Sequence, residues 1–413
     1  MILLPLDIPD STMGTLVWED NSNVTFHDTA APAGSLEETD GNVCQFFENY
    51  TSEEELERNT YSQGQVLFVS VCLPLIMALG VINNFAFIYV VIRVPRMRTV
   101  TNCYLVGLAV SDVLFLVFAI GSKIVCYVSS PIYGDDTPLG LSGCLLTQFI
   151  INTSYFATLC FITLVSWERY NGVCRPHRKR DTKLRIFKLL AASCLASSLM
   201  SATLSLSLAV EIVECITWPD GPPYDTWPTQ RYLYYPVFDW VDKYSYGAQT
   251  IPFFISLTIN VFFYQRIIKG LDKSMNRRHL HSNHRCSGGD SSTRNQIARM
   301  LVVNGITLFA LLAPFEIMSL FQLIGMLRDH NFILTVEVRG PLVAVARVLS
   351  YINAVVNPVI YTALSSRYRE SFKITFMPTQ CRPRQRQRIE NSVHGSTVTV
   401  QCGVTSKIHE SRM

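Results

Sequence analysis

Charged residues are scarce in this chain of 413 residues. They make up 16% of the sequence and hydrophobic residues 49%, whereas about 25% charged residues is usual in soluble globular proteins. Basic residues are almost absent from the first 65 positions, which carry thirteen Asp or Glu and a single Arg. This composition excludes an ordinary soluble domain and gives no indication of a nucleic-acid partner.

The twelve cysteines lack the spacing of metal ligands. A small cluster of histidines and a cysteine is formed by His279, His281, His284 and Cys286. Its flanks are rich in Ser, Gly and Arg and indicate a solvated loop, so no metal site is predicted. Paired His and carboxylate residues are also missing from the hydrophobic segments, so no enzyme is expected.

Seven hydrophobic stretches are each long enough to cross a bilayer core about 30 Å thick as a helix. The predicted spans are Val66–Val94, Cys103–Val128, Cys144–Val173, Ile186–Val210, Ala248–Ile268, Ile297–Leu327 and Gly340–Leu364. The sequence therefore predicts an all-α bundle of seven transmembrane helices. A transporter or channel is the alternative from another class, although no internal repeat supports a transporter.

The loops predict the orientation of the bundle. Lys and Arg follow spans one, three, five and seven, and basic residues near span ends prefer the cytoplasm. The N-terminus is then outside and the C-terminus inside. Asn23 and Asn49 begin acceptor triplets for N-glycosylation in the acidic tail, which agrees with this orientation. We expect a multi-pass protein of the plasma membrane.

Three regions follow from these features. We expect residues 1–65 to form an extracellular acidic tail, residues 66–376 a seven-helix membrane domain, and residues 377–413 a disordered cytoplasmic tail. Residues 366–376 have aromatic residues at helical spacing beside basic ones, which predicts a short amphipathic eighth helix on the membrane surface. Cys381 after it is a predicted palmitoylation site, and the basic segments predict contact with membrane lipids.

Asp112 is a carboxylate near the middle of the second span. It lies about ten residues, or about 15 Å, into that span, where a charge is costly and indicates function. Polar residues of other spans that could converge on it are Asn84, Thr158, Asn353 and Asn357. We predict that this network holds a sodium ion; the alternative is a satisfied polar cluster without a function.

Cysteines near the outer ends of the spans predict a disulfide. Cys144 precedes Arg169 by 25 residues, about 37 Å along a helix, so these residues lie at opposite mouths of span three. Cys215 lies in the long outer loop before span five. A Cys144–Cys215 disulfide is therefore predicted, with Cys44 and Cys126 as alternative partners.

The polar motifs within the spans carry a resemblance. Glu168-Arg169-Tyr170, Leu108-Ala109-Val110-Ser111-Asp112 and Asn357-Pro358-Val359-Ile360-Tyr361 resemble, in this order, three motifs of rhodopsin-like receptors. Asn84, Pro252 and Pro314 also stand where that family has them. The resemblance implies coupling to a heterotrimeric G protein through Glu168, Arg169, Tyr170 and Tyr361. It also implies that arrestin and kinases act on the C-terminal tail.

Two longer stretches are similar to receptors of the thyrotropin-releasing hormone type. They are Met97–Val110 and Asn353–Tyr361. Arg347 stands where that family has a ligand-contacting arginine. Two departures affect activation: Leu312 replaces the usual Trp of helix six, and Asn260 replaces the usual Tyr of helix five. Either activation uses other contacts, such as those of Phe309 and Phe315, or the chain belongs to a divergent branch of the family.

The same resemblance restricts the ligand. Tyr351 replaces the Schiff-base Lys of opsins, and Ile151 replaces the Asp of amine receptors. The predicted pocket consists of Arg347, Glu316, Asn152, Tyr155 and Phe315, under a loop rich in aromatic residues. Aromatic contact area suits a short neuropeptide, amidated or not. A lipid or small metabolite is the alternative ligand.

Overall fold

A computed structural model describes most of the chain. The described residues are 44–175, 183–208, 210–236, 238–280, 288–328 and 336–377. Asn23, Cys381 and the Ser and Thr residues of the C-terminal tail lie outside them, as does the cluster of histidines around Cys286 with the exception of His279, whose side chain is not described.

Seven membrane-length helices form the described part of the bundle, as the sequence predicts. Helices one to seven are, in order, Gln63–Arg93, Val100–Ser129, Gly140–Cys174, Lys183–Leu204, Asp239–Leu280, Gly288–Leu327 and Val336–Leu364. Large apolar side chains cover the outside of the bundle; Leu75, Leu199 and Phe187 are 58%, 61% and 69% exposed. Such a surface suits a lipid environment, because its apolar side chains contact lipid tails and not water. The helices also satisfy the hydrogen-bonding groups of their own backbone.

Several helix ends differ from the predicted ones, most clearly in helices four, five and six. Helix five runs from Asp239 to Leu280, far beyond the predicted Ala248–Ile268. The hydrophobic pattern stops at the lipid boundary, whereas the backbone hydrogen bonds of a helix continue into water. Helix four ends at Leu204, and Val210, which was predicted to close the fourth span, is instead the first residue of a strand.

A three-stranded sheet covers one end of the bundle. The strands are β1 (Phe46–Asn49), β2 (Val210–Thr217) and β3 (Gln230–Tyr235). β1 pairs with β2 in parallel and β3 pairs with β2 in antiparallel, in the order β1-β2-β3. The sequence analysis did not predict this sheet. We call this end of the bundle the sheet end.

Aromatic residues pack beneath the sheet. Tyr50 and Trp218 are buried and meet edge to face, with 5.3 Å between ring centroids, and Trp227 packs on Trp218 at 4.9 Å. Burial raises the pKa of the Tyr50 hydroxyl to about 12. The aromatic loop thus forms a folded layer together with part of the N-terminal segment.

The predicted Cys144–Cys215 disulfide is wrong. Cys215 is bonded to Cys44, with 5.7 Å between the Cα atoms, and Cys144 is a buried free thiol. The reason is the parallel pairing of β1 with β2, which brings the N-terminal segment beside Cys215. Cys44 had been only an alternative partner, because separation along the chain does not reveal which strands become neighbours.

The predicted amphipathic helix is present at the opposite end, which we call the helix-eight end. Helix eight spans Ser366–Phe376. Its Tyr368 is buried, and the hydroxyl donates to the side-chain oxygen of Asn102 on helix two. Glu370 forms an ion pair with Arg96 at 3.1 Å. These contacts hold helix eight across the ends of helices one and two.

Candidate functional site

A cavity lies between helices two, three, six and seven. The residues that line it are Asp112, Phe115, Ser154, Tyr155, Thr158, Leu312, Phe315, Glu316, Ser350, Asn353 and Ala354. It contains residues of the predicted ligand pocket and of the predicted sodium network. The sequence analysis treated these as two sites, whereas the structure places them on one continuous cavity. The sequence did not predict Phe115, Ser154 or Ser350 as site residues, because none of them belongs to a motif.

Glu316, a residue of the predicted ligand pocket, lines this cavity. The residue is 1% exposed, and its carboxylate accepts a hydrogen bond of 2.7 Å from the hydroxyl of Tyr155. Glu316 lies on helix six and Tyr155 on helix three, so this bond joins the two helices. Phe315 is buried next to Glu316 and lines the same cavity.

Asn152 is buried one turn before Tyr155 on helix three. Neither its side-chain oxygen nor its nitrogen has a hydrogen-bond partner among the described residues. A buried amide without partners costs about 1–3 kcal/mol per group. The Asn152 side chain therefore has one donor group and one acceptor group available for hydrogen bonds to a bound molecule.

Arg347 is half-buried on helix seven. It precedes Ser350 by three residues and therefore lies on the same face of the helix, one turn nearer to the sheet end. Ser350 lines the cavity. Arg347 itself is not among the residues that line the cavity.

Asp112 lies at the other limit of the cavity. It is 3% exposed, and one carboxylate oxygen accepts a hydrogen bond of 2.8 Å from the side-chain nitrogen of Asn357. Thr158 and Asn353 line the cavity beside it. Asn84 is bonded elsewhere, since its side-chain nitrogen donates to the backbone oxygen of Ala354 at 2.8 Å and so ties helix one to helix seven.

Glu168 and Arg169 lie near the helix-eight end of helix three. They form an ion pair at 3.2 Å, and Arg169 also donates to the hydroxyl of Thr101 on helix two. Tyr170 stacks on Phe263 of helix five, with 5.4 Å between centroids. Arg169 is therefore held by its own helix and by helix two in this conformation.

Tyr361 is buried among aromatic side chains of other helices. Its ring lies 5.2 Å from that of Phe87 on helix one and 5.8 Å from that of Tyr368 on helix eight. The residue joins helices one, seven and eight at one point.

The two departures from the family pattern have structural consequences. Asn260 is fully buried, and its side-chain nitrogen donates to the hydroxyl of Thr163 on helix three at 2.9 Å. One turn further, Tyr264 accepts a hydrogen bond of 3.2 Å from Ser166 and contacts Gly305 of helix six. The sequence analysis missed Tyr264, because no pattern in the chain shows that a glycine faces it.

Phe309 also occupies a central place in helix six. It packs edge to face on Phe253 of helix five, 5.7 Å away, while Leu312 lines the cavity. Helix six thus meets helix five through aromatic residues one turn below the cavity.

Comparisons with known proteins agree with this arrangement. The profile of the family "7 transmembrane receptor (rhodopsin family)" matches residues 83–361. The thyrotropin-releasing hormone receptor of Mus musculus is 28% identical over 329 residues, covering 72% of this chain and 76% of that protein. Neuromedin-U receptor 2 of Rattus norvegicus is 29% identical over 329 residues, covering 77% and 78%. Somatostatin receptor type 5 of Bos taurus is 29% identical over 316 residues, covering 75% and 76%.

A solved structure has the same fold. Squid rhodopsin superposes with a TM-score of 0.59 at 16% identity, covering 83% of this chain and 94% of that one. The family match spans helices one to seven and includes the motifs around Asp112, Arg169 and Tyr361. The chain therefore belongs to the seven-transmembrane receptors of the rhodopsin family, which are signalling receptors and not enzymes.

Proposed function

We propose that the protein is a G-protein-coupled receptor for a short neuropeptide, amidated peptides included. Three relatives named for peptide hormones align along about three quarters of the chain, which supports this ligand class. The observation that carries the proposal is the buried Glu316–Tyr155 pair, beside a cavity under a folded aromatic layer. A peptide offers both the amide groups and the apolar side chains that such a site recognises.

The sheet end faces the outside of the cell in this proposal. Disulfides persist in oxidising compartments, and the Cys44–Cys215 bond is at the sheet end. The receptor then lies in the plasma membrane with its N-terminus outside and helix eight on the cytoplasmic surface. Asn49 is exposed on β1 and would be open to glycosylation there.

The polar groups of the predicted ligand pocket each have a role in ligand binding. The carboxylate of Glu316 accepts hydrogen bonds from an amide or cationic group of the peptide, and Arg347 donates to a carbonyl or carboxylate. Asn152 contributes one donor and one acceptor, and Phe315 contributes contact area. Charge-assisted hydrogen bonds of this kind are worth about 1.5–3 kcal/mol each.

Signal transmission begins at the contact between helices three and six. A ligand group that takes Glu316 from the Tyr155 hydroxyl weakens a bond between these helices and favours a conformation in which helix six moves. The ligand shifts the equilibrium between the two conformations only to the extent that it binds one of them more tightly than the other. At the helix-eight end, the G protein contacts the region of Glu168, Arg169, Tyr170 and Tyr361.

A sodium ion binds beside Asp112 in the resting conformation. Carboxylate, hydroxyl and amide oxygens are suitable ligands for a hard cation, and Asp112, Thr158 and Asn353 supply them along the cavity. Arrestin and kinases act on the C-terminal tail, and anionic lipids contact the basic segments beside the helix-eight end.

The decisive experiment is a calcium-mobilisation screen with short peptides, each tested with a free and an amidated C-terminus. We expect at least one peptide to activate wild-type receptor. Arg347→Ala should then lower its potency about 10–150-fold at equal surface expression, which corresponds to about 1.5–3 kcal/mol. Arg347→Lys should recover little, because the planar fork of the guanidinium is lost.

Three outcomes would contradict parts of this proposal. Activation by a lipid or small metabolite, with no response to any peptide, would contradict the proposed ligand class. Wild-type potency of a peptide on Arg347→Ala would remove Arg347 from the site. Flux of an ion or solute without nucleotide exchange on a G protein would point to a channel or transporter instead.

A further inference from the structure

Helix six carries one polar side chain in the part of its buried face that lies below the cavity. The other buried residues between positions 297 and 312 are apolar or glycine, and Asn304 interrupts this stripe. It follows Leu301 by three residues and precedes Leu308 by four, so the three lie on the same face of the helix. Asn304 is about 12 Å nearer to the helix-eight end than Leu312, which lines the cavity.

The Asn304 side chain is completely buried. It is 0% exposed, and neither its amide nitrogen nor its amide oxygen has a hydrogen-bond partner among the described residues. The hydroxyl of Tyr361 on helix seven faces it, but the two groups do not meet in the geometry of a hydrogen bond, and this hydroxyl is unpartnered as well. Helices six and seven therefore each bury a polar group at the same place without pairing it.

Apolar side chains surround these two polar groups. Tyr361, Leu301, Leu108 and Phe161 belong to one hydrophobic cluster between helices two, three, six and seven. A buried amide without a partner is costly, because it has lost its hydrogen bonds to water. A trapped water molecule between the two side chains would lower this cost, but it would itself be immobilised. The resting conformation is therefore less stable with Asn304 than with an apolar residue of similar size.

An outward movement of helix six changes this balance. Gln296 of the same helix bonds to Ser366 at the helix-eight end of the bundle, at 2.9 Å, and Asn304 is eight residues, or about 12 Å, further along. When this half of helix six moves away from the bundle, water reaches the amide and satisfies both of its groups. The amide therefore favours the open conformation over the resting one by the difference in its hydration.

We propose that Asn304 is a positioning residue that destabilises the resting place of helix six and so gives the receptor a ligand-independent activity. The inference rests on the proposed coupling to a G protein, but it requires no ligand. Asn304 acts through the position of helix six and not by contact with an agonist.

Asn304→Leu and Asn304→Val test the proposal, with Asn260→Leu as the matched control. Asn260 is also 0% exposed, but its side-chain nitrogen donates to the Thr163 hydroxyl at 2.9 Å and to the Ser256 backbone oxygen at 2.8 Å. The same kind of substitution thus removes an unpartnered amide at position 304 and breaks existing hydrogen bonds at position 260. The smaller Val guards against overpacking by Leu.

The first measurement is the thermal unfolding midpoint Tm of full-length, ligand-free receptor in detergent. We expect at least one of the two Asn304 variants to raise Tm by about 2–4 °C and Asn260→Leu to lower it. Tyr361→Phe removes the other unpartnered group and should also raise Tm. An unchanged or lower Tm in both Asn304 variants would overturn the proposal, because the amide would then have a partner that stabilises the resting conformation.

The second measurement is basal nucleotide exchange on purified heterotrimeric G proteins of each class, at equal amounts of receptor. Exchange with the wild type should exceed that of receptor-free membranes, and the Asn304 variants should lower this excess about 5–30-fold. Exchange that the variants leave unchanged, or a wild type without basal exchange, would overturn the proposal. Neither measurement adds a ligand, so a peptide screen without any response would contradict the proposed ligand class and not this inference.

Discussion

At the scale of single residues, Glu316 is notable because a carboxylate is buried inside a membrane-spanning helix. Placing an acidic side chain there costs about 2.5–3.5 kcal/mol on insertion scales, so the residue is expected to have a function. The Tyr155 hydroxyl, at 2.7 Å, offsets part of this cost. In the proposed mechanism this pair stabilises the resting conformation and keeps an acceptor available for the ligand.

Glu316→Gln should lower agonist potency about 10–150-fold, since the mutation replaces a charge-assisted hydrogen bond by a neutral one or removes it. Tyr155→Phe should instead raise potency or basal signalling, because it removes the hydrogen bond that holds Glu316 to helix three while leaving the carboxylate in place. Concentration–response curves of calcium release, at matched surface expression, measure both. Unchanged potency in Glu316→Gln would exclude this carboxylate from the ligand site.

The sodium proposal is also decided at one residue, Asp112. Replacing sodium by a bulky inert cation should raise agonist affinity in the wild type, because sodium favours the resting conformation. Asp112→Asn removes the charge while keeping the hydrogen-bonding shape beside Asn357. The variant should lose the sodium dependence of agonist affinity in a competition binding assay, and a retained dependence would rule the site out.

At the scale of secondary-structure elements, the contact between helices five and six at the helix-eight half of the bundle depends on a glycine. A Cβ on Gly305 would lie 2.5 Å from the ring carbon Cζ of Tyr264. Tyr264 is 6% exposed and also bonds to Ser166, one turn before Arg169. Helices three, five and six thus meet at one tyrosine, which fits only because residue 305 has no side chain.

Gly305→Ala should raise agonist-independent signalling, because the added methyl separates helix six from Tyr264; overpacking of this kind costs about 1–3 kcal/mol. Inositol phosphate accumulation, divided by surface expression, measures the effect. Gly121→Ala in helix two is the matched control, since no atom lies within 4 Å of the added Cβ.

A double variant separates the steric effect from a general loosening of the helix. Tyr264→Ala removes the ring that the methyl would meet, so adding Gly305→Ala to it should change basal signalling no further. If the two single effects were instead additive, the contact between these residues would not be the cause.

At the scale of the whole molecule, the sheet end ties distant parts of the chain together. Cys44 and Cys215 are 171 residues apart, and β1 depends on β2 for its only strand pairing among the described residues. Within the sheet, Glu214 is buried and paired with Arg231. The sheet therefore holds the N-terminal segment against the loop between helices four and five.

Cys44→Ser should release the N-terminal segment, reduce surface expression and lower agonist affinity, whereas Cys194→Ser, at an exposed thiol of helix four, should do neither. Loss of a structural disulfide typically costs about 2–5 kcal/mol in small secreted domains, which gives the scale. Flow cytometry on an epitope-tagged receptor and ligand binding are the measurements. Normal expression and affinity in Cys44→Ser would mean that the bond is dispensable.

The amino-acid sequence by itself determined the seven helices, the amphipathic helix Ser366–Phe376 and the family. The reason is that crossing a bilayer requires about 20 apolar residues per helix, a local property that can be read along the chain. The motifs around Asp112, Arg169 and Tyr361 are local as well, so their order was enough to indicate the receptor family.

Only the tertiary structure decided which distant residues meet. The partner of Cys215 depends on the pairing of β1 with β2, the donor to Glu316 depends on the packing of helix three against helix six, and the fit of Tyr264 depends on a glycine of another helix. None of these follows from separation along the chain, because each arises from a contact between elements whose relative positions the bundle sets as a whole.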